Sequence, residues 1–375
     1  MRDKFCIPLT AICLLYLACG NSETTDPELS LGLTIVDSIA FDYDLPPLEF
    51  ADNLDDRAYL FYAITQDSLH LITYRYPERQ TTKFAVPATG PDKFGGELSS
   101  VGFLDTDLIL VISTTKMTVY DPVGNTVRTR YLENHSAQRM NKKLVRVPGE
   151  ELILTMHEIH SQTDGLSGMD PEFWRAYRML SAYDHTLESK GLFLNVEEQS
   201  PLIDPGGFKN SRQLFDQSAG KLYVNHNPDP TIYVYDLSKD YPLIDRYPIQ
   251  PEHYNRENPG EEDIFKALLT SGTFHTLVAH QDTIILGYFT GIPAREYRAE
   301  LHNPDWTRMM FRKFSKNYAI IMVDGKRVAP DVLLPRKAGS LVSHLPDGNY
   351  LLTKNSNVVE PISGDIFYVA KLIDR

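Results

Sequence analysis

Apolar positions along this chain come in short runs separated by turn residues, not in stretches long enough and periodic enough for helices. The clearest unit spans Val101 to Leu132. Val101 to Leu104 is followed by a turn at Asp105-Thr106-Asp107, then by Leu108 to Ser113, Lys116 to Tyr120, a turn from Asp121 to Asn125, and Thr126 to Leu132. Four strands joined by tight turns form one antiparallel meander, the size of a propeller blade.

The pattern recurs. Runs resembling the second strand are Leu108 to Ile112, Leu152 to Leu154, Leu222 to Val224, Thr283 to Leu286 and Tyr350 to Leu352, each preceded by a turn of Gly, Asp, Asn or Pro type. Their continuous apolar character implies cover on both sheet faces. Third strands close on an aspartate at Tyr120-Asp121, Tyr183-Asp184, Tyr235-Asp236 and Val323-Asp324. Aspartate there hydrogen-bonds the backbone two residues on and starts a hairpin, a structural role. The units run from Phe50 to Val86, Leu98 to Leu132, Lys143 to Leu194, Ser211 to Ile249, Thr273 to Leu334, and Gly339 to Ile373. The last lacks a fourth strand, and Leu33 to Phe41, ahead of the first unit, supplies it. The expected fold is all-β: a six-bladed β-propeller over 31–375, closed by N- and C-terminal strands, with short helices in long loops on one face. A β-sandwich is the competing architecture, and six similar meanders are hard to place in one.

The first residues change the picture of where such a domain works. Met1-Arg2-Asp3-Lys4 precedes an apolar stretch through Leu17, too short to span a bilayer, which is the pattern of a signal peptide over 1–18. Leu17-Ala18-Cys19-Gly20 resembles a lipobox, with Tyr16 where that pattern prefers leucine. All three cysteines, Cys6, Cys13 and Cys19, lie at or before the cleavage point, so the mature domain has no disulfide framework and no cysteine nucleophile. Residues 19–30 are polar and acidic and are expected to be a disordered tether. The net charge of -13 disfavours nucleic acid as a partner. The lipobox, the acidic tether, the repeated Tyr-Asp strand ends and the six meanders together resemble a family of bacterial lipoproteins with six-bladed, TolB-like propellers. That resemblance implies a lipid anchor at Cys19 and a cell-envelope location, at the outer membrane, and implies no activity.

Candidate chemistry falls in the loops. Connections at 133–141, 157–177, 195–210, 250–272 and 290–316 are long, and in a propeller all emerge on the same face, which makes that face the candidate binding rim. Asp170-Pro171-Glu172 starts a short helix carrying Trp174, and Glu261 to Leu269 repeats the pattern. His226-Asn227-Pro228-Asp229 and His302-Asn303-Pro304-Asp305 share a tetrapeptide, and His157 and His160 are spaced three apart. Imidazole and carboxylate suit a divalent ion, so His157, His160, His226 and His302 are the metal candidates, against the commoner role of Asn-Pro and Pro-Asp as turn formers. Arg139, Arg212, Arg295 and Arg298 share the rim and suit a carboxylate or sugar acid. The sequence holds no Gly-x-Ser-x-Gly elbow, phosphate loop or His-Glu-x-x-His helix. The leading expectation is therefore a non-catalytic binding propeller with no cofactor, whose rim of His157, His160, Trp174, Arg212, His226, Asn227, Arg295, Arg298, His302 and Asp305 holds an envelope protein or glycan. The alternative is a metal-dependent hydrolase or lactonase with its site at the channel mouth.

Overall fold

The computed structural model describes residues 31–55, 57–90, 93–132, 143–147, 149, 152–156, 170–203, 212–227, 229–238, 240–255, 266, 269–297, 304–314, 316–356 and 365–374. The signal segment, Cys19 and the tether lie outside them.

The chain enters through β1 (Leu31–Phe41). Blade 1 is β2 (Glu49–Leu54), β3 (Ala58–Ile64), β4 (Ser68–Arg75) and β5 (Gln80–Pro87). Blade 2 is β6 (Leu98–Asp105), β7 (Leu108–Ser113), β8 (Lys116–Tyr120) and β9 (Thr126–Tyr131). Blade 3 is β10 (Val145–Val147), β11 (Leu152–Met156), β12 (Arg178–Asp184) and β13 (Ser189–Asn195), and blade 4 is β14 (Arg212–Ser218), β15 (Lys221–Asn227), β16 (Thr231–Asp236) and β17 (Leu243–Pro248). Blade 5 has β18 (Thr273–His280), β19 (Thr283–Phe289) and β20 (Asn317–Val323), with an outer strand split into β21 (Lys326–Arg327) and β22 (Val332–Leu333). Pro330 sits in the break, where a residue without an N–H cannot extend the ladder. Blade 6 is β23 (Ala338–His344), β24 (Tyr350–Lys354) and β25 (Asp365–Asp374), completed by β1. The six sheets are antiparallel meanders and make a six-bladed β-propeller. β1 pairs with β25 from Leu31↔Asp374 to Phe41↔Asp365, so N- and C-terminal strands close the ring within one blade.

The hydrophobic core is divided among the blade junctions because each strand sends alternate side chains to opposite neighbours. On β7, Ile109 and Val111 join the cluster with blade 1, whereas Leu110 and Ile112 join the cluster with blade 3. On β15, Leu222 and Val224 face blade 3 and Tyr223 faces blade 5. A strand buried on both sides reads as a continuous apolar run. Outer strands such as β9, mostly exposed, show no such run.

The aspartates closing third strands hold the hairpins. The Asp121, Asp184 and Asp236 carboxylates accept the N–H groups of Val123, Thr186 and Ser238 at 3.0, 2.9 and 2.8 Å. These bonds, and in Asp121 first the Asn125 side chain and in Asp184 first the Lys190 ammonium, hold the carboxyl pKa values below the ordinary range.

Connections differ sharply between the two faces. Hairpins between first and second or third and fourth strands are short, the longest being 237–242. The connections 132–144, 157–177, 196–211, 249–272 and 290–316 all leave from the other face. Among the described residues these connections carry α1 (Pro171–Ala176) and α2 (Pro304–Phe314). Asp170 is the N-cap of α1 by position, but its side chain makes no capping bond. Of the segment Glu261 to Leu269, Lys266 and Leu269 are helical and the rest lies outside the described residues.

Candidate functional site

The innermost strands enclose an axial channel that two ion pairs divide. Asp52, on β2, accepts the Asn53 N–H on Oδ1 at 2.9 Å. Its Oδ2 accepts the Phe103 N–H of blade 2 at 2.9 Å and Nη1 of Arg146 of blade 3 at 2.7 Å. Asp216, on β14 of blade 4, repeats the arrangement. Gln217 N–H donates to its Oδ1 at 2.9 Å, Ala279 N–H of blade 5 to Oδ2 at 3.0 Å, and Lys143 Nζ lies 2.8 Å from the same oxygen. Each acid thus ties its own strand to the next blade, and the blade 3 segment supplies one cation to each of two blades that face each other across the ring.

Arg146 also donates to the carbonyls of Phe103 and Asn53, both at 2.8 Å. Burial works against its charge, yet Asp52 first, then Asp216 and Asp55, raise its pKa above the ordinary value. The crossing leaves no room at Gly102, where a Cβ would stand 2.7 Å from Asp52 Oδ2 and 2.8 Å from Leu144 Cγ. Both channel acids are nearly fully buried, and each has a cation and two backbone donors. They are spent on holding the innermost strands together, and neither is a free base.

On either side of this waist is a chamber of about 200 Å³. The one toward the short hairpins is lined by Asp55, Arg146, Asp216, Ser218, His280 and His344. The His280 and His344 rings stack with centroids 3.6 Å apart. Burial, then His280, pushes the His344 pKa down to about 4, so its imidazole is neutral near pH 7. The chamber toward the long loops is lined by Glu49, Tyr62, Lys143, Leu214, His275 and Thr276, and the Tyr62 hydroxyl donates to Glu49.

Three of the rim residues expected from sequence, Trp174, His226 and Asn227, are buried. Trp174 is corrected from binding rim to core: it is 2% exposed and packs with Phe173 and Tyr177 at the junction of blades 3 and 4. A six-residue helix over an apolar junction buries its aromatic side because that surface has no other cover.

His226 and Asn227 are corrected likewise. His226 is fully buried at the end of β15, neither ring nitrogen has a hydrogen-bond partner among the described residues, and burial pushes its pKa down to about 4. Asn227 Oδ1 accepts the Tyr254 hydroxyl at 3.1 Å and the Phe274 N–H at 3.0 Å. Asp229 accepts the Ser200 and Tyr233 hydroxyls, both at 2.8 Å, and burial raises its pKa. The first tetrapeptide therefore closes a turn between strands.

The second copy does something else. Its Pro304 and Asp305 open α2, with Asp305 exposed, while His302 lies outside the described residues. Identical tetrapeptides diverge because one continues a strand and the other begins a helix. Arg295 is exposed in a single helical turn, 3.6 Å from Glu296, and Arg212 begins β14. His157, His160, Arg139 and Arg298 lie outside the described residues. Among the described residues no group of three or more His, Cys, Asp and Glu is placed to hold a metal ion.

Sequence reasoning missed the channel ion pairs. The available signal was the acid at the same place in two first strands, Phe50-Ala51-Asp52 and Leu214-Phe215-Asp216. It also missed the exposed side of α2.

The fold and channel define a six-bladed β-propeller. No protein-family model and no curated protein matches the chain. Among solved structures, a Bacteroides fragilis protein named as an exported protein is similar, at 11% identity over 93% of this chain and 95% of that one, with a TM-score of 0.50. The PQQ-bound aldose sugar dehydrogenase of Streptomyces coelicolor is 10% identical over 92% and 100% of the two chains, with a TM-score of 0.48. BamB of Moraxella catarrhalis is 10% identical over 90% and 99%, with a TM-score of 0.39. Likeness at these identities concerns the fold alone, and propellers serve both as enzymes and as binding scaffolds.

Proposed function

We propose that the chain is a cell-envelope lipoprotein, anchored through Cys19 at the outer membrane, whose propeller binds a protein or glycan partner through its long-loop face without catalysis. The observation that carries this reading is the polarity of the propeller. Leu31 begins β1 opposite Asp374 on the short-hairpin face, and the long connections leave from the other. Eleven residues separate Cys19 from β1, a reach of about 40 Å at full extension. An anchor there attaches the tether to the short-hairpin face and leaves the long-loop face free to meet a partner. The exported name of the Bacteroides fragilis protein agrees with an envelope location.

Deleting 157–169 tests the face, with an equal insertion in the 121–125 hairpin as control. The deletion is expected to abolish co-purification of the partner and the insertion to leave it. The reverse result sinks the reading. The cut stops before α1 because Phe173, Trp174 and Tyr177 belong to the core. Cys19→Ala is expected to leave the propeller folded while ending palmitate labelling; a mutant still labelled and still in the detergent phase rules out the anchor.

A further inference from the structure

α2 presents one broad apolar face, and the fold covers only part of it. Met310, Phe311 and Phe314 pack with Leu269, Ile292 and Tyr297, and the Phe311 ring lies 5.2 Å from that of Phe289. At the margin of that face, beside Met310, Trp306 is 41% exposed and Met309 47% exposed. Residues three apart are neighbours on a helix surface, so the two form one patch. Arg312 and Lys313, both exposed, follow in the last turn. An apolar patch ending in two cations contrasts with a chain whose net charge is -13. Trp, Met and Arg are also the side chains enriched at the centres of protein interfaces.

We propose that the Trp306–Met309 side of α2, with Arg312 and Lys313 at its end, docks a protein partner that presents an apolar pocket rimmed by carboxylates. This rests on the long-loop reading and names the part of that face that makes contact. Charge selects the occupant. A carboxylate-rimmed surface is repelled by most of this acidic molecule and attracted at the end of α2, which fixes where and in what orientation it binds. A lipid surface fits less well. The other apolar residues of α2 already face inward, leaving two side chains to insert, and β1 begins on the opposite face.

The test places the photocrosslinker p-benzoylphenylalanine in the full-length lipoprotein, in its own cells, at four positions. Positions 306 and 309 are on the patch, 44 is elsewhere on the long-loop face, and 123 is on the short-hairpin face. Expected are discrete protein adducts at 306 and 309 and none at 123. The captured protein, once purified, is expected to bind Trp306→Ala at least about tenfold more weakly, and to lose affinity again with Arg312→Glu and Lys313→Glu. Adducts at 44 alone overturn the patch and leave the long-loop reading standing; adducts at 123 alone overturn both. Lipid adducts alone at 306 replace the protein partner by a membrane, and no adduct anywhere overturns the proposal. Thermal unfolding of Trp306→Ala should match the parent, so that lost binding is not lost folding.

Discussion

Single residues in this propeller carry large and opposite electrostatic consequences. His226 is neutral in the folded state, with its pKa pushed down to about 4, whereas an unfolded histidine titrates near 6.5. Between those values the unfolded chain takes up a proton that the folded one refuses, so stability falls as pH falls through this window. The slope is about 1.4 kcal/mol per pH unit and the total about 3 kcal/mol. His344, lowered for the same reason, adds in the same direction. Urea unfolding at pH 7, 5.5 and 4.5 should show that His226→Leu is less acid-sensitive than the parent, and an unchanged pH slope would count against the assignment. The channel pairs behave differently. Asp52→Ala strands Arg146 without its carboxylate and is expected to cost about 3 kcal/mol, whereas Asp52→Leu combined with Arg146→Met should recover much of that loss. A double-mutant cycle with purely additive effects would mean that the pair is not coupled.

At the scale of elements, most strands were legible because burial between two blades writes continuous apolar runs, as in Leu108-Ile109-Leu110-Val111-Ile112. Turn aspartates were legible because their bonds span two to four residues. Trp174 was not. Its helix was visible from Asp170-Pro171-Glu172, but whether an aromatic residue on a short helix faces solvent or a blade junction depends on what lies beneath it. Trp174→Ala should cost about 3–5 kcal/mol, against a negligible change for the exposed Trp306→Ala, both read by denaturant midpoint. Similar costs for the two would contradict their burial.

For the whole molecule, closure is the element that matters. β1 and β25 form a long pairing that completes blade 6, with Ile39 and Phe41 in the core it shares with blade 1. A chain starting after Phe41 leaves a three-stranded blade with an open edge. It is expected to unfold at a lower temperature and to associate, measured by calorimetry and sedimentation. An unchanged transition would show that the ring does not depend on this strand.

The sequence by itself determined the number of meanders, the strand that closes the ring and the face from which the long loops leave, because these follow from local periodicity and connection length. Tertiary structure alone decided which polar residues serve the fold. Asp52 finds Arg146, and Asp216 finds Lys143, pairings between residues far apart in the chain. Two identical tetrapeptides part ways between a strand end and a helix start. Burial and long-range charge pairing belong to the packed ring, and no window of sequence contains them.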